Sequence, residues 1–189
     1  MELFHGSNVE GLKILEPRLA DHDRPYVYLA ANEVVAAFYL CNGVQRPFYW
    51  FPYGFAPNGI TPVYHELYPN ALQEVSDGVS GYIYKVWADE KQVIPFKNIP
   101  CARLGIEPLQ VVDKIEIKNA YLLFQEYVKQ GKMLVGRYED KSEKEKAMWY
   151  GMILDYLKEK EMIHMPECSY AKFVKCKFPW IWEQYEQAN

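Results

Sequence analysis

Short apolar and aromatic runs alternate with polar segments along most of the chain, and this pattern predicts short strands joined by loops. The predicted strands cover residues 2–6, 26–30, 61–68, 82–87 and 132–137, with one or two more within residues 106–117. Residues 11–25 and 88–106 are predicted loops, because prolines and polar residues interrupt them.

Three helices are predicted where a capping residue precedes apolar residues at helical spacing. Asn32, Asn119 and Ser142 stand at these starts, and Ser142 forms a capping box with Glu145. The apolar faces comprise Val35, Phe38 and Tyr39 in the first helix, Ala120, Leu123 and Tyr127 in the second, and Met148, Trp149, Met152, Ile153, Tyr156 and Leu157 in the third. Since the composition changes at Asp140, we expect a core of residues 1–139 and a mainly helical C-terminal extension, residues 140–189, packed on it.

Residues 45–59 are predicted to be irregular, because three prolines, two glycines and six aromatic residues fall within them. One interpretation is a loop that inserts into the core. The other is a lid over a bound ligand.

Composition narrows the class of protein. The chain has 189 residues, of which 50% are hydrophobic, which suits one domain with a sizeable core. A net charge of −4 argues against general binding of nucleic acid, whose phosphates require a basic surface. Neither a secretory signal nor an apolar run of the roughly 20 residues that span a bilayer is found, so we expect a cytoplasmic protein with no membrane partner.

The four cysteines, Cys41, Cys101, Cys168 and Cys176, are scattered and are expected to be reduced thiols. His164 lies near two of them, which raises the question of zinc. The spacing of these residues fits no standard set of zinc ligands, so no metal is expected.

The N-terminal segments carry the candidate chemistry. His5, Gly6 and Ser7 end the first predicted strand, and Tyr28 lies in the second, which leads directly into a helix that contains Tyr39. Adjacent strands can place His5 beside Tyr28, and the helix can bring Tyr39 to the same place. An imidazole, two phenol rings and a glycine backbone suit a flat ring that bears an amide group.

These motifs resemble the NAD-binding core of ADP-ribosyltransferases of the diphtheria-toxin and poly(ADP-ribose) polymerase type. The resemblance lies in His5-Gly6-Ser7, in Val27-Tyr28-Leu29-Ala30 and in a second tyrosine eleven positions after the first; beyond residue 45 it is looser. It implies an α+β fold, a split β-sandwich of two small, mainly antiparallel sheets with flanking helices.

The resemblance also implies roles for the motif residues. Backbone groups of Gly6 and the Ser7 hydroxyl would hold the carboxamide of NAD, and Tyr28 and Tyr39 would sandwich the nicotinamide ring. His5 would bond the adenine-side ribose. The alternatives from the residues themselves are a buried histidine bonded to backbone and two tyrosines that only fill the core.

Further roles follow from the same resemblance. Ala30 belongs to the cofactor-binding motif of the second strand, and Arg46 would reach the pyrophosphate if residues 45–59 form a lid.

The family places a catalytic glutamate at the start of a later strand, where it stabilises the ribose cation. Glu107 is the predicted residue, together with His5 and Tyr28 in the catalytic set. Pro108 departs from the family pattern, because it lacks a backbone donor and suits only an edge or a strand start. Glu66 and Glu74 are the other candidates, although Glu66 is expected to face solvent.

The resemblance implies an NAD-dependent mono-ADP-ribosyltransferase or NAD glycohydrolase, with an unknown protein or small molecule as acceptor. One alternative is a catalytically inactive module that binds NAD, ADP-ribose or a peptide. A third hypothesis is an enzyme similar to the RNA 2′-phosphotransferases. It ranks last because Arg18, Arg24 and Arg46 match no motif of basic residues.

Overall fold

The computed structural model describes residues 1–19, 24–42, 52–96 and 99–188. The chain divides into two compact units, one formed by Met1–Val44 with Ser76–Gln130 and the other by Gln45–Val75 with Gly131–Asn189. The predicted boundary between residues 1–139 and 140–189 was placed where the composition of the sequence changes. The two units are instead defined by the contacts within the folded chain.

The fold class is α+β, as the sequence predicts. The strands are β1 Glu2–Ser7, β2 Ile14–Leu15, β3 Val27–Ala30, β4 Tyr53–Phe55, β5 Pro62–His65, β6 Gly81–Trp87, β7 Val93–Pro95, β8 Ala102–Gly105, β9 Leu109–Ile117 and β10 Leu134–Gly136. The helices are α1 Glu33–Asn42, α2 Ala71–Ser76, α3 Ala120–Lys129, α4 Glu143–Glu159, α5 Ser169–Lys177 and α6 Pro179–Gln187, with a 3-10 turn at Met162–His164. Within the described ranges no helix is both long and apolar enough to cross a bilayer.

The first unit contains a seven-stranded antiparallel sheet in the order β2-β9-β6-β1-β3-β8-β7. Strand β1 pairs with β6 along its whole length, from Glu2 opposite Trp87 to Ser7 opposite Tyr82. With β3, by contrast, β1 shares a single pair, Phe4 opposite Ala30. The backbones of β1 and β3 therefore stop pairing on both sides of this point.

An apolar core covers this sheet. Its buried members are Leu3, Leu15, Val27, Leu29, Tyr84, Val86, Ala88, Val93 and Leu109. Burial of such side chains stabilises the fold by about 1.5–3 kcal/mol for each large one. The core holds together strands that lie far apart in sequence, such as β1 and β9.

Helix α1 packs on β1 and carries a fully buried face that includes Val35 and Phe38. Asn32 caps it, as predicted, since the Asn32 side-chain oxygen accepts a hydrogen bond of 2.9 Å from the Val34 N–H. Helix α3 packs on α1, with the rings of Phe38 and Phe124 5.4 Å apart, and begins at the predicted cap Asn119. The capping signals in the sequence therefore locate both helices correctly.

The second unit contains the three-stranded sheet β10-β5-β4, in which β5 and β10 are parallel. Helix α4 starts with the predicted capping box of Ser142 and Glu145. The helices after residue 140 bury an aromatic and aliphatic core made of Ile153, Leu157, Tyr170, Phe173, Phe178, Ile181 and Tyr185. The C-terminal part of the chain is thus helical, as expected.

Four regions differ from the sequence prediction. Residues 11–25, predicted as a loop, contain the two-residue strand β2, which pairs with β9. Residues 88–106, predicted as loops, contain β7 and β8; β7 lies at the edge of the sheet, where Pro95 is tolerated because an edge residue needs no further backbone donor. Residues 53–55, predicted to be irregular, form β4 against β5. Helix α2 was not predicted, because its six residues are too few for a clear periodic pattern.

Candidate functional site

A cavity of about 510 Å³ lies in the first unit, and its walls come from β1, β3, α1 and the segment that links β1 to β3. His5, Gly6, Ser7, Tyr28 and Tyr39 all line it. Because β1 and β3 are antiparallel and pair only at Phe4 and Ala30, the residues after Phe4 face those before Ala30 across an unpaired gap. The residues of the predicted ring site therefore lie around one cavity.

His5 links the two strands where their backbones do not. Its Nδ1 atom lies 2.8 Å from the carbonyl oxygen of Tyr28. A carbonyl can only accept, so Nδ1 carries the proton of this bond. Burial lowers the pKa of His5 below its usual range, an effect that the bond to Tyr28 opposes and the nearby positive charge of Arg18 reinforces. The ring is thus neutral at pH 7, and Nε2 has a lone pair with which to accept a hydrogen bond.

Gly6 is required by the packing of α1. A Cβ atom at this position would lie 2.0 Å from the carbonyl oxygen of Ala36 and 3.5 Å from the backbone nitrogen of Leu40. Only glycine lets the helix backbone approach β1 so closely. The same contact fixes α1, and with it Tyr39, against the strand that carries His5.

Ser7 is the last residue of β1 and lines the cavity. Its Oγ accepts a hydrogen bond of 3.2 Å from the Val9 N–H, which forms a local turn. The hydroxyl proton is not used in that bond, so Ser7 can still donate to a ligand.

Tyr84 holds the segment after Ser7 in place, a role that sequence analysis missed. Its ring is fully buried. Its hydroxyl donates a hydrogen bond of 2.7 Å to the carbonyl oxygen of Val9, and the Leu12 N–H donates to the same hydroxyl over 3.3 Å. Since Tyr84 lies opposite His5 in the register of β1 and β6, it couples this wall to the strand of the candidate site.

Tyr28 and Tyr39 are each half-buried rather than sealed in the core. Tyr28 lies in β3, and Tyr39 lies near the end of α1. Each residue therefore keeps part of its surface exposed and lines the cavity, which the core-only alternative does not explain.

One predicted cofactor-binding residue, Ala30, is not among the described residues that line the cavity. Ala30 is buried at the one register pair between β1 and β3, so it fixes the place where these strands meet. Arg46 lies outside the described residues.

Glu107 is exposed in the link between β8 and β9. Its carboxylate accepts a hydrogen bond of 2.6 Å from the side chain of Gln92. It is not among the described residues that line the cavity. Besides β1, the strand that carries Tyr28 pairs with β8, which begins at Ala102 directly after Cys101 and not after a glutamate.

The two other glutamate candidates belong to the second unit. Glu66 is buried, with 1% of its surface exposed, so its expected exposure to solvent is wrong. Its Oε1 accepts a hydrogen bond of 3.2 Å from the Leu72 N–H and lies 3.7 Å from a guanidinium nitrogen of Arg137. Glu74 forms an ion pair of 2.5 Å with Lys177. Contacts within the unit therefore account for the Glu74 carboxylate and for Oε1 of Glu66, whereas Oε2 of Glu66 is buried with no hydrogen-bond partner among the described residues.

Glu16 and Arg18 are charged residues that line the cavity, and the sequence did not identify them as site residues. They flank Pro17 directly after β2, and residues two apart in an extended chain point to the same side. The backbone of Arg18 is held by two hydrogen bonds with Tyr26, of 3.0 and 3.1 Å. The available sequence signal was a pair of opposite charges on either side of a proline. This signal does not show which part of the protein the segment after β2 contacts.

Among the described residues no group of three or more His, Cys, Asp and Glu is placed to hold a metal ion. Cys168 instead caps α5, since its Sγ accepts a hydrogen bond of 3.4 Å from the Ala171 N–H.

Comparison of the chain with protein-family models, curated proteins and solved structures gives no match. The resemblance to ADP-ribosyltransferases therefore rests on the motif residues themselves.

Proposed function

We propose that this chain binds NAD in the cavity of its first unit and cleaves the bond between nicotinamide and ribose, as a mono-ADP-ribosyltransferase or an NAD glycohydrolase. The observation that carries the proposal is the common location of His5, Gly6, Ser7, Tyr28 and Tyr39 around one cavity. These are the residues that the sequence motifs single out, and they come from three separate elements.

The proposal extends to the fold. The single register pair between β1 and β3 supports a division of the long sheet into β2-β9-β6-β1 and β3-β8-β7. A split β-sandwich has such a division, with its ligand in the gap between the two halves.

The cavity suits a nicotinamide nucleotide in size and chemistry. Its volume of about 510 Å³ falls within the usual range of small-molecule sites. The nicotinamide ring would stack on Tyr28 and Tyr39, and the Ser7 hydroxyl would donate to the carboxamide oxygen. Nε2 of the neutral His5 would accept a hydrogen bond from a ribose hydroxyl.

The reaction requires charge stabilisation rather than proton transfer to the leaving group. The bond from the nicotinamide nitrogen to the ribose carbon breaks with both electrons on nicotinamide, which leaves as a neutral molecule. The ribose carbon becomes cationic, forms a bond to water or to an acceptor group, and that nucleophile loses a proton to solvent. A carboxylate near the ribose stabilises the cation, and such electrostatic effects are usually large in enzymes.

Two carboxylates are available for this role. Glu107 is the residue that the sequence favours, and Glu16 is the carboxylate among the described residues that line the cavity. The placement of Glu16 makes it the first choice within this proposal.

Binding without cleavage is the second candidate function. It is favoured by one observation, that Glu107 is bonded to Gln92 and is absent from the described lining of the cavity. On this alternative the chain is a sensor or carrier of NAD or ADP-ribose.

One experiment tests both functions. The chain is titrated with NAD by calorimetry and incubated with NAD while released nicotinamide is measured by chromatography. The wild type and Tyr28→Ala are compared with Tyr121→Ala, a matched change on α3 outside the cavity, after thermal unfolding has shown that all three are folded.

Release of nicotinamide that is lost in Tyr28→Ala and kept in Tyr121→Ala supports the enzyme. Binding of NAD with no release supports the binding module. Absence of any NAD binding by the wild type overturns both proposals.

A further inference from the structure

The charges around the cavity are few. Of the described residues that line it, Arg18 is the only cation and Glu16 the only anion. Arg18 is exposed at its side chain, while its backbone is fixed by the paired hydrogen bonds with Tyr26. The guanidinium is therefore carried on a defined piece of backbone and remains accessible from solvent.

Arg18 lines the same cavity as His5. Its positive charge is also one of the causes that lower the pKa of the imidazole. In the described part of the chain, no carboxylate oxygen lies within 4.0 Å of the Arg18 side chain; even Glu16, two residues away, does not pair with it. Its planar set of N–H donors is thus available to an anionic ligand.

We propose that Arg18 binds the pyrophosphate of NAD, so that this cavity takes nicotinamide dinucleotides in preference to nicotinamide itself. The inference rests on the proposed function, because that function places the nicotinamide ring at Tyr28 and Tyr39 and the adenine-side ribose at His5. The pyrophosphate connects these two parts of NAD. Since Arg18 lines the same cavity as these residues, its guanidinium is placed to bind the phosphates that join the two parts of NAD.

The chemistry of the residue agrees with this role. Arginine is charged at all physiological pH values and offers two parallel N–H donors to a phosphate. His5 is neutral and offers Nε2 as an acceptor, so it does not bind phosphate in place of Arg18. Arg46, to which the sequence assigns the pyrophosphate, lies outside the described residues and forms no part of this inference.

The test compares two ligands that differ in phosphate. Calorimetry measures the affinity of the wild type, Arg18→Gln, Arg18→Lys and Lys13→Gln for NAD and for nicotinamide. Lys13→Gln removes the same charge from an exposed residue five positions earlier that does not line the cavity. Since the Arg18 side chain is exposed, its replacement leaves the core intact, which thermal unfolding checks.

Arg18→Gln is expected to weaken NAD binding by about tenfold or more, as the loss of a charged hydrogen bond does. Nicotinamide affinity should stay within about twofold, since nicotinamide has no phosphate for Arg18 to bind. Arg18→Lys should recover part of the NAD affinity because it retains the charge, and Lys13→Gln should change neither ligand. The wild-type affinity for NAD should also fall with salt more steeply than that of Arg18→Gln.

Two results would overturn the inference while the proposed function stands. One is an unchanged NAD affinity in Arg18→Gln, and the other is an equal loss of NAD and nicotinamide, which indicates a structural role. Failure of the wild type to bind either ligand overturns the proposed function as well.

Discussion

The imidazole of His5 and the backbone of Tyr28 are joined by a hydrogen bond of 2.8 Å where β1 and β3 no longer pair. This bond fixes the distance between the two strands at the edge of the cavity. It also sets the tautomer of His5, because Nδ1 must donate to a carbonyl. His5, which is proposed to bind the ligand, thus also stabilises the gap between β1 and β3 in which the ligand would lie.

Replacement of His5 should separate these two contributions. His5→Phe leaves the Tyr28 carbonyl without its donor, which should lower the free energy of unfolding by about 1–3 kcal/mol. His5→Asn has an amide N–H that can replace Nδ1–H but no acceptor at the position of Nε2, so it should retain most of the stability and lose NAD affinity. Urea unfolding and calorimetry measure the two effects. Equal stability of both variants would show that the bond to Tyr28 contributes nothing.

The pH dependence of stability should also reflect His5. Its pKa in the folded protein lies below the ordinary value of 6.5, whereas the unfolded chain titrates at 6.5. Below pH 6.5 the unfolded state therefore binds more protons than the folded state. The free energy of unfolding falls as the pH decreases, by up to about 1.4 kcal/mol per pH unit, until the pKa of the folded state is reached. Above pH 6.5 both states are neutral at this residue, and it has no effect.

Denaturant titrations between pH 5 and 8 test this prediction. The wild type should lose stability on acidification, and His5→Asn should lose less. His65 in the second unit also has a lowered pKa, through burial and the charge of Lys141, so His65→Asn should remove a second part of the loss. A wild-type stability that rises as the pH falls through 6 would contradict the assigned direction of both shifts.

Gly6→Ala should destabilise the fold. The added Cβ would lie 2.0 Å from the carbonyl oxygen of Ala36, a backbone atom that can only yield if α1 moves. The expected cost is about 1–3 kcal/mol, as for other overpacked sites. Displacement of α1 should also lower NAD affinity, because Tyr39 moves with the helix.

Gly151→Ala serves as the matched control for this change. Gly151 lies within α4, and nothing lies within 4 Å of its added Cβ, so alanine there should raise stability by about 0.5–1 kcal/mol. Thermal unfolding of both variants gives the comparison. A neutral Gly6→Ala would mean that α1 packs on β1 less closely than described.

Local signals in the sequence account for the parts of the fold that were predicted correctly. Asn32, Asn119 and Ser142 each cap a helix through a contact only two or three residues away, which a reading of the sequence can find. His5 was found because it ends a short apolar run before Gly6 and Ser7, and Tyr28 because its short run leads directly into a helix.

Contacts between distant residues account for the parts that were missed. Strand β8 exists because it pairs with β3, where Gly105 lies opposite Val27, 78 residues earlier in the chain (105 − 27), and no local pattern indicates that pairing. Arg18 lines the cavity only because its segment folds back to Tyr26. The buried Glu66 has Oε1 near the Leu72 N–H and Arg137, and its place in the sequence does not show these contacts.

Tyr84→Phe should loosen the wall of the cavity. The change removes the hydroxyl that bonds Val9 and Leu12 while it leaves the buried ring in place. The free energy of unfolding should fall by about 1–2 kcal/mol, and NAD affinity should fall with it. Tyr121→Phe, a change of the same kind outside the cavity, should have neither effect. Hydrogen exchange at the Leu12 amide provides a direct measurement, since faster exchange is expected in Tyr84→Phe alone.

The choice between Glu16 and Glu107 decides which carboxylate the proposed reaction uses. Glu16 lines the cavity, whereas Glu107 is bonded to Gln92 and is not among the described lining residues, so the charge at the reacting ribose should depend on Glu16. Glu16→Gln should lower the rate of nicotinamide release by about 100-fold or more, the size of effect seen when a charge-stabilising group is removed from an active site. Its affinity for NAD should not fall, because a negative charge near the pyrophosphate has been removed. Glu107→Gln should release nicotinamide at the wild-type rate, and the reverse result would return the catalytic role to Glu107, the residue that the sequence motif favours.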